Sequence, residues 1–325
     1  MSWHYQAPWW LPGGNLQTIY SAKFAQRNTG VVPNWRRERW FTPDQDFIDV
    51  DWCEEASPAT ATTPLLVLFH GLEGSSESHY AAAFASETRA RGWRMAVPHF
   101  RGCSGEINWA PRAYHSGDYE EVGWVLQQFK AKYAGPLYPV GISLGGNALM
   151  CWAAEMGESA SKIANGVVSV CSPIDLTASG QAIDTGFNKA VYARMFLQTM
   201  KPRAMAKLKQ YPKLFDAEKL LAARTLYAFD NVFTAPMHGF QNTDDYWRRA
   251  SAKPRLKNIQ VPALVLNAIN DPFVPASCLP TRAEVSTQVT LWQPKQGGHV
   301  GFASGQFPGN LREMPSAVMD WMMHG

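Results

Sequence analysis

The sequence is poor in charge, and its positive and negative charges nearly cancel. Charged residues make up 18% of the chain, whereas an average soluble protein has ~25%. Intrinsic disorder combines low hydrophobicity with high net charge, so a chain with 46% hydrophobic residues and a formal net charge of +3 is expected to fold. It has no strong basic field to attract nucleic acid, and we expect no nucleic-acid partner.

Cysteine is scarce as well. Disulfide frameworks use an even number of cysteines, and zinc sites commonly use C-x-x-C pairs. The sequence has five cysteines and no such pair. We therefore expect neither a disulfide framework nor a bound metal, and a reducing compartment is the default.

Long apolar runs and a basic leader are also missing. The longest apolar run, residues 148–154, is far shorter than the ~20 residues of a transmembrane helix. The first Lys or Arg is Lys23, so the chain lacks the basic start of a secretory signal. We expect a cytoplasmic protein with no integral membrane segment. The Trp-rich N-terminal segment is interpreted as a lid or a core-packing strip, with a peripheral contact to a membrane surface as the alternative.

Strands and helices alternate along much of the chain. Short apolar runs predict strands, and periodic segments between them predict helices. The strands are expected at 64–70, 94–98, 137–142, 166–171, 262–266 and 289–292, and the helices at 78–90, 118–133, 144–156 and 314–323. Residues 35–52 are typical of a β-hairpin. Asp118 and Glu121 predict a capping box at the start of the second helix.

This alternation predicts an α/β fold with a mostly parallel, doubly wound sheet. Residues 176–256 interrupt it with helical spacing and no clear strand. We interpret 1–175 as the first part of an α/β core, with an N-terminal segment and hairpin at 1–60. Residues 176–256 are then an inserted helical cap, and 257–325 the second part of the core. Such a cap should cover the carboxyl edge of the sheet, where ligands bind.

A nucleophile elbow is predicted at Ser143. The sequence Gly141-Ile142-Ser143-Leu144-Gly145 lies between an apolar strand and a helix. A G-x-S-x-G motif in that setting presents its serine on a tight, strained turn. The hydroxyl is a weak nucleophile, so it needs a general base and a carboxylate that orients the base.

The base and the acid should follow the serine in the order acid, then histidine. His238 lies in the predicted cap and His324 at the chain end, so His299, after the last strand, is the expected base. Asp271 follows the preceding strand by a short loop and lies 28 residues before His299, one strand-helix-strand step. Asp175 is the second candidate, with a helix N-cap as its alternative role.

An acyl-transfer site also needs donors for the oxyanion. The backbone N–H of Leu144 directly follows the nucleophile, at a helix N-terminus. The backbone N–H of Leu72 is the second candidate, because it belongs to the loop after the first long strand. His70 is interpreted as a structural residue of that loop, and the role of Glu73 stays open between a solvated charge and an anchor.

Seven short motifs together resemble those of the YheT-type branch of α/β-hydrolases, which is similar to eukaryotic lipid esterases. The motifs lie at residues 8–18, 70–74, 100–106, 114–118, 141–147, 270–275 and 297–302. The resemblance implies an α/β-hydrolase fold and carboxyl-ester hydrolysis, with Ser143 as nucleophile, Asp271 as acid and His299 as base. It also implies acyl transfer to alcohols as a variant found in some relatives.

The leading hypothesis is therefore a serine esterase that needs no metal or organic cofactor. It would cleave short- to medium-chain acyl esters through an acyl-enzyme, because part of the apolar residues of 176–256 should face Ser143 as a ceiling. Two alternatives remain open: an alcohol O-acyltransferase using the same acyl-enzyme, and a ligand-binding protein with little turnover. The ceiling candidates are Phe187, Tyr192, Met195, Phe196, Leu197, Met200, Met205, Leu214, Phe215, Leu226, Tyr227 and Phe229.

Overall fold

Eight strands form one sheet in the computed structural model, which describes residues 3–27, 32–54 and 60–324. Their order across the sheet is β1-β2-β4-β3-β5-β6-β7-β8. Strand β1 pairs antiparallel with β2, β2 pairs antiparallel with β4, and the other neighbours are parallel. The strands are β1 (Trp35–Phe41), β2 (Phe47–Cys53), β3 (Leu65–Phe69), β4 (Arg94–Pro98), β5 (Leu137–Ile142), β6 (Val167–Val170), β7 (Ala263–Leu266) and β8 (Val289–Trp292). The predicted α/β architecture with a mostly parallel sheet is confirmed.

The hairpin predicted at residues 35–52 is formed by β1 and β2, which are joined through the turn at Thr42. Its second strand adds to the edge of the sheet beside β4. Parts of the predicted N-terminal unit, residues 1–2, 28–31 and 55–59, lie outside the described residues.

Helices cover both faces of the sheet and fill the interval between β6 and β7. Among the described residues they are α1 (Gly14–Lys23), α2 (His79–Ala90), α3 (Tyr119–Lys132), α4 (Leu144–Met156), α5 (Leu176–Ile183), α6 (Gly186–Asn188), α7 (Arg194–Gln210), α8 (Ala217–Ala222), α9 (Leu226–Val232), α10 (Thr234–Met237), α11 (Thr243–Ala250) and α12 (Glu313–His324). Helices α5 to α11, here called the helical block, follow one another without a strand. None of the described helices has the length and apolar character needed to cross a bilayer.

Two hydrophobic clusters pack on opposite faces of the sheet. On one face, α3 and α4 bury Phe129 and Trp152 against the strands. On the other face, α2 and α12 contribute Phe84 and Trp321. The central strand β3 is buried along its whole length, which explains its continuous apolar sequence.

The connection between β7 and β8 differs from the expected strand-helix-strand step. It contains only the short 3-10 turns Ala276–Cys278 and Arg282–Glu284, with no α-helix. Pro272, Pro275 and Pro280 lie within this connection. Because proline has no N–H and does not fit a helix interior, three prolines within nine residues prevent a regular helix.

A buried ion cluster holds the hairpin against α3. Arg101 is 5% exposed, and its guanidinium lies 2.8 Å from Asp44 and 2.7 Å from Asp46. The same guanidinium donates through Nε to Glu121. Burial raises the pKa of the Glu121 carboxyl to about 7.

The capping box predicted for α3 is wrong, although Asp118 does occupy the N-cap position. The Asp118 side chain makes no cap hydrogen bond and instead accepts one from Arg112 at 2.6 Å. Glu121 is engaged by Arg101. A buried cation without a partner costs more than an uncapped amide at a helix start, so the two arginines take both carboxylates.

We expect Arg101→Leu to lower the free energy of unfolding by roughly 3–5 kcal/mol, because it leaves buried carboxylates without a countercharge. Urea unfolding followed by circular dichroism measures this change. Arg36→Leu is the control, since Arg36 is exposed on β1 and should change stability by less than about 0.5 kcal/mol. Equal effects of the two substitutions would contradict a stabilising role for the buried cluster.

Candidate active site

Ser143 lies on a strained turn between β5 and α4. Its backbone angles are φ 52° and ψ −119°, in a region that residues with a side chain rarely adopt. A Cβ atom at Gly145 would lie 2.4 Å from the carbonyl oxygen of Phe69, and one at Gly141 would lie 2.4 Å from the Cα of Gly146. Only glycine permits this approach of strand and helix, and the turn has the form predicted for a nucleophile elbow.

The structure brings Ser143, His299 and Asp271 together. The Nε2 atom of His299 lies 3.0 Å from the Oγ of Ser143, and its Nδ1 atom lies 2.9 Å from the Oδ2 of Asp271. Asp271 is buried, and its other oxygen accepts a hydrogen bond from the amide of Phe273 at 2.8 Å. The Phe273 ring also packs against the imidazole, with ring centroids 4.2 Å apart.

This geometry selects one state of the imidazole. With its proton on Nδ1, His299 donates to the Asp271 carboxylate and keeps Nε2 as an acceptor for the Ser143 hydroxyl. The arrangement can therefore remove the hydroxyl proton while the carboxylate stabilises the imidazolium that forms.

The other candidates named from the sequence lie elsewhere. Asp175 is the N-cap of α5 and accepts from the amide of Ala178 at 3.1 Å. His238 packs against His115 with ring centroids 4.5 Å apart. His324 is the last residue of α12. None of the three forms a hydrogen bond with Ser143 or His299 among the described residues.

The two expected oxyanion donors border the same cavity as Ser143. Within the described part of the chain, the backbone N–H groups of Leu72 and Leu144 donate to no protein acceptor. The loop that carries Leu72 lies close to the elbow, since a Cβ atom at Gly71 would be 3.2 Å from the Cβ of Ser143. Both amides are thus available to a ligand beside Ser143.

His70 anchors the Leu72 loop. Its Nδ1 atom donates to the carbonyl of Gly71 at 2.8 Å, and its Nε2 atom accepts from the amide of Phe100 at 3.1 Å. Burial lowers the pKa of the His70 imidazole to about 3, so the ring is neutral at physiological pH. These contacts match the structural role expected for this residue.

Helix α1 supports the histidine loop with two side chains that the sequence analysis did not single out. Gln17 Oε1 accepts from the amide of Gly297 and from the side chain of Asn270, both at 2.9 Å. Thr18 Oγ1 accepts from the amide of His299 at 2.8 Å. The signal was present in the N-terminal motif at residues 8–18, whose polar Gln and Thr have no role in a simple core-packing strip.

Apolar side chains from the helical block border the cavity above Ser143. Four of the twelve ceiling candidates line it, whereas Phe187, Met195 and Tyr227 are exposed on the outside of the block. The apolar lining residues contributed by the block are Leu176, Ile183, Phe196, Met200, Ala204, Leu226, Phe229, Phe233 and Trp247.

One wall of the cavity is polar, which the sequence analysis did not anticipate. Arg203 Nη1 lies 3.2 Å from Glu73, and Glu73 also accepts from the hydroxyl of Tyr114 at 2.9 Å. Lys207, one turn further along α7, donates to two backbone carbonyls, and burial lowers its pKa to about 8. Glu73 is therefore a partly buried anchor between α7 and the Leu72 loop. The described residues contain no group of three or more potential ligands that could hold a metal ion.

Comparisons with known proteins agree with this fold. Residues 64–306 match the family model described as alpha/beta hydrolase fold. The chain is 37% identical to "Putative esterase YheT" of Escherichia coli (strain K12) over 312 residues, covering 95% of this chain and 89% of that protein. It is 28% identical to "Phospholipase ABHD3" of Homo sapiens over 280 residues, covering 84% and 68%. The solved structure of Est1E from Butyrivibrio proteoclasticus with ferulic acid superposes with a TM-score of 0.56 at 14% identity, covering 88% and 98%.

We expect Asp271→Asn to slow the labelling of Ser143 by a fluorophosphonate probe by roughly 10⁴-fold, because the imidazole loses its orienting carboxylate. The labelling rate can be followed by gel fluorescence without a known substrate. Asp175→Asn is the matched control and should leave the rate nearly unchanged, at a cost of about 1 kcal/mol of stability. If Asp175→Asn slowed labelling more than Asp271→Asn did, both variants being folded, the acid would be Asp175, which follows β6.

Proposed function

Because this chain belongs to the α/β-hydrolase family, within the branch that includes YheT, and is a hydrolase acting on esters, we propose that it cleaves carboxylic esters through an acyl-enzyme on Ser143. The observation that supports this mechanism best is the position of His299, which is hydrogen-bonded to Ser143 on one side and to Asp271 on the other. In this proposal Asp271 is the acid and His299 the base.

The first half of the reaction forms the acyl-enzyme. The Oγ of Ser143 attacks the ester carbonyl carbon while Nε2 of His299 takes the hydroxyl proton. The negative oxygen of the tetrahedral intermediate accepts hydrogen bonds from the amides of Leu72 and Leu144. His299 then gives its proton to the departing alcohol, and the carbon–oxygen bond to that alcohol breaks.

The second half returns the enzyme to its starting state. His299 removes a proton from water, which attacks the acyl carbon and forms a second tetrahedral intermediate on the same two amides. The proton passes back to the Oγ of Ser143 as the acid leaves. Asp271 stays ionised throughout and stabilises the imidazolium in both halves.

We further propose that residues 176–256 act as a cap that selects the acyl group. The cavity side of the block is largely apolar, with Phe196, Met200 and Phe229 among its lining residues. A largely apolar pocket with a few polar groups favours an apolar acyl chain. The relative named as a phospholipase is consistent with lipid esters as the substrate class.

We expect Ser143→Ala to abolish ester hydrolysis while leaving the fold intact. Removing the nucleophile should lower kcat by several orders of magnitude. Hydrolysis of p-nitrophenyl butyrate measures the loss, and a thermal melt confirms that the protein is folded. A variant that kept more than about a tenth of the wild-type rate, a barrier change under ~1.4 kcal/mol, would show that Ser143 is not the nucleophile.

The apolar ceiling predicts a dependence on chain length. Along a series of p-nitrophenyl esters from acetate upwards, kcat/KM should rise about fourfold per buried methylene until the pocket is filled. We expect the optimum at medium chain length, and Met200→Trp should move it to shorter chains by occupying the cavity. Met195→Trp is the control, because Met195 is 42% exposed on the outer side. A flat or falling profile from acetate to octanoate would instead favour a small, polar ester or a binding role.

A further inference from the structure

Helix α1 buries polar side chains rather than apolar ones. The residues it buries are polar: Gln17, Thr18 and Ser21. Leu16 within the helix and Phe24 directly after its last residue are exposed. A surface helix normally buries its apolar residues, and a contiguous group of apolar residues left exposed marks an interaction surface.

Phe24 belongs to a larger group of aromatic rings. Tyr20 contacts the rings of Trp10, Phe24 and Phe307, with centroids 5.1, 5.6 and 6.4 Å apart. The Tyr20 hydroxyl also donates to the carbonyl of Pro308, so the patch is an ordered unit. Phe24 is 67% exposed, Phe307 73% and the neighbouring Trp9 92%. We call Trp9, Trp10, Tyr20, Phe24 and Phe307 the aromatic patch.

The two segments that carry the aromatic patch contain no acidic residue. The sequence contains no Asp or Glu in residues 1–37 or in residues 285–312, the two segments that carry the patch. Lys23 and Arg27 lie exposed on its border, and in the described part of the chain neither side chain pairs with a carboxylate. The patch therefore combines exposed aromatic rings with uncompensated positive charge.

We propose that the aromatic patch docks on the surface of a bilayer that contains anionic lipid. Trp and Tyr side chains favour the level of the lipid headgroups, and flanking Lys and Arg are attracted by anionic lipids. A second copy of the chain fits less well, because a symmetric contact would bring Lys23 and Arg27 against the same cations. The inference goes beyond the proposed ester chemistry and does not depend on it.

The aromatic patch adjoins the helix that supports the histidine loop of the candidate active site. The same helix turns Thr18 inward to the amide of His299 and Gln17 to that of Gly297. Helix α1 thus carries Tyr20 of the aromatic patch together with two side chains that support the histidine loop. Docking would place the candidate active site beside the lipid bilayer, in which apolar esters dissolve.

The test measures co-sedimentation of the full chain carrying Ser143→Ala, so that binding is separated from turnover. Vesicles of phosphatidylcholine with phosphatidylglycerol are compared with vesicles of phosphatidylcholine alone. We expect binding to the anionic vesicles, weakened about tenfold or more by Phe24→Ser. Phe41→Ser is the matched control, since Phe41 is 68% exposed on the distant hairpin, and it should bind like the parent. The double variant Lys23→Glu, Arg27→Glu should lose the preference for anionic vesicles.

Three results would overturn the proposal. The first is no binding of the parent protein to anionic vesicles, and the second is an equal loss for Phe24→Ser and Phe41→Ser. The third is a dimer in sedimentation velocity that Phe24→Ser dissociates without any vesicle binding, which would assign the patch to self-association. Without vesicles, the wild-type protein and the Phe24→Ser variant, both with Ser143 intact, should hydrolyse p-nitrophenyl butyrate at equal rates. A protein inactive in that assay would contradict the ester chemistry alone.

Discussion

The close approach of α4 to the ends of β3 and β5 is the constraint on which the site depends. Backbone atoms of strand and helix meet at distances that leave no room for a Cβ at Gly141 or Gly145. The turn between them forces Ser143 into a left-handed backbone, at a cost of order 1–3 kcal/mol. Helix α4 can offset that cost because its residues from Leu144 to Ala154 are all buried. A well-packed helix thus holds a strained serine and directs its own first amide toward the cavity.

Much of the core could be predicted because its signals are local. Continuous apolar runs marked β3 and β5, and the glycine spacing around Ser143 required a tight strand-to-helix turn. Chain order left His238, His299 and His324, and the position of His299 after the last strand selected it. Asp271 was preferred over Asp175 from its spacing to His299 and from the family resemblance. In the structure Asp271 contacts His299, whereas Asp175 caps α5.

The failures have separate physical causes. The Asp118 capping box was plausible locally, but half-buried Arg112 takes that carboxylate. The polar wall of the cavity was missed because a long side chain such as Arg203 can point inward or outward from the same helical position. Helix α1 was missed because its buried side is polar, which reverses the pattern used to recognise a surface helix.

The hydrogen bond from the amide of His299 to Thr18 joins residues 281 positions apart, and the bond from Gly297 to Gln17 joins residues 280 apart. The two ends of the chain must therefore meet before the histidine loop has its final support. Contacts of such long sequence separation carry a large loop-closure entropy and tend to form late in folding. A partly synthesised chain can contain the serine turn and most of the sheet, yet it lacks the histidine and the acid. The arrangement of Ser143, His299 and Asp271 can therefore form only after residue 299 has been synthesised, so synthesis itself delays it.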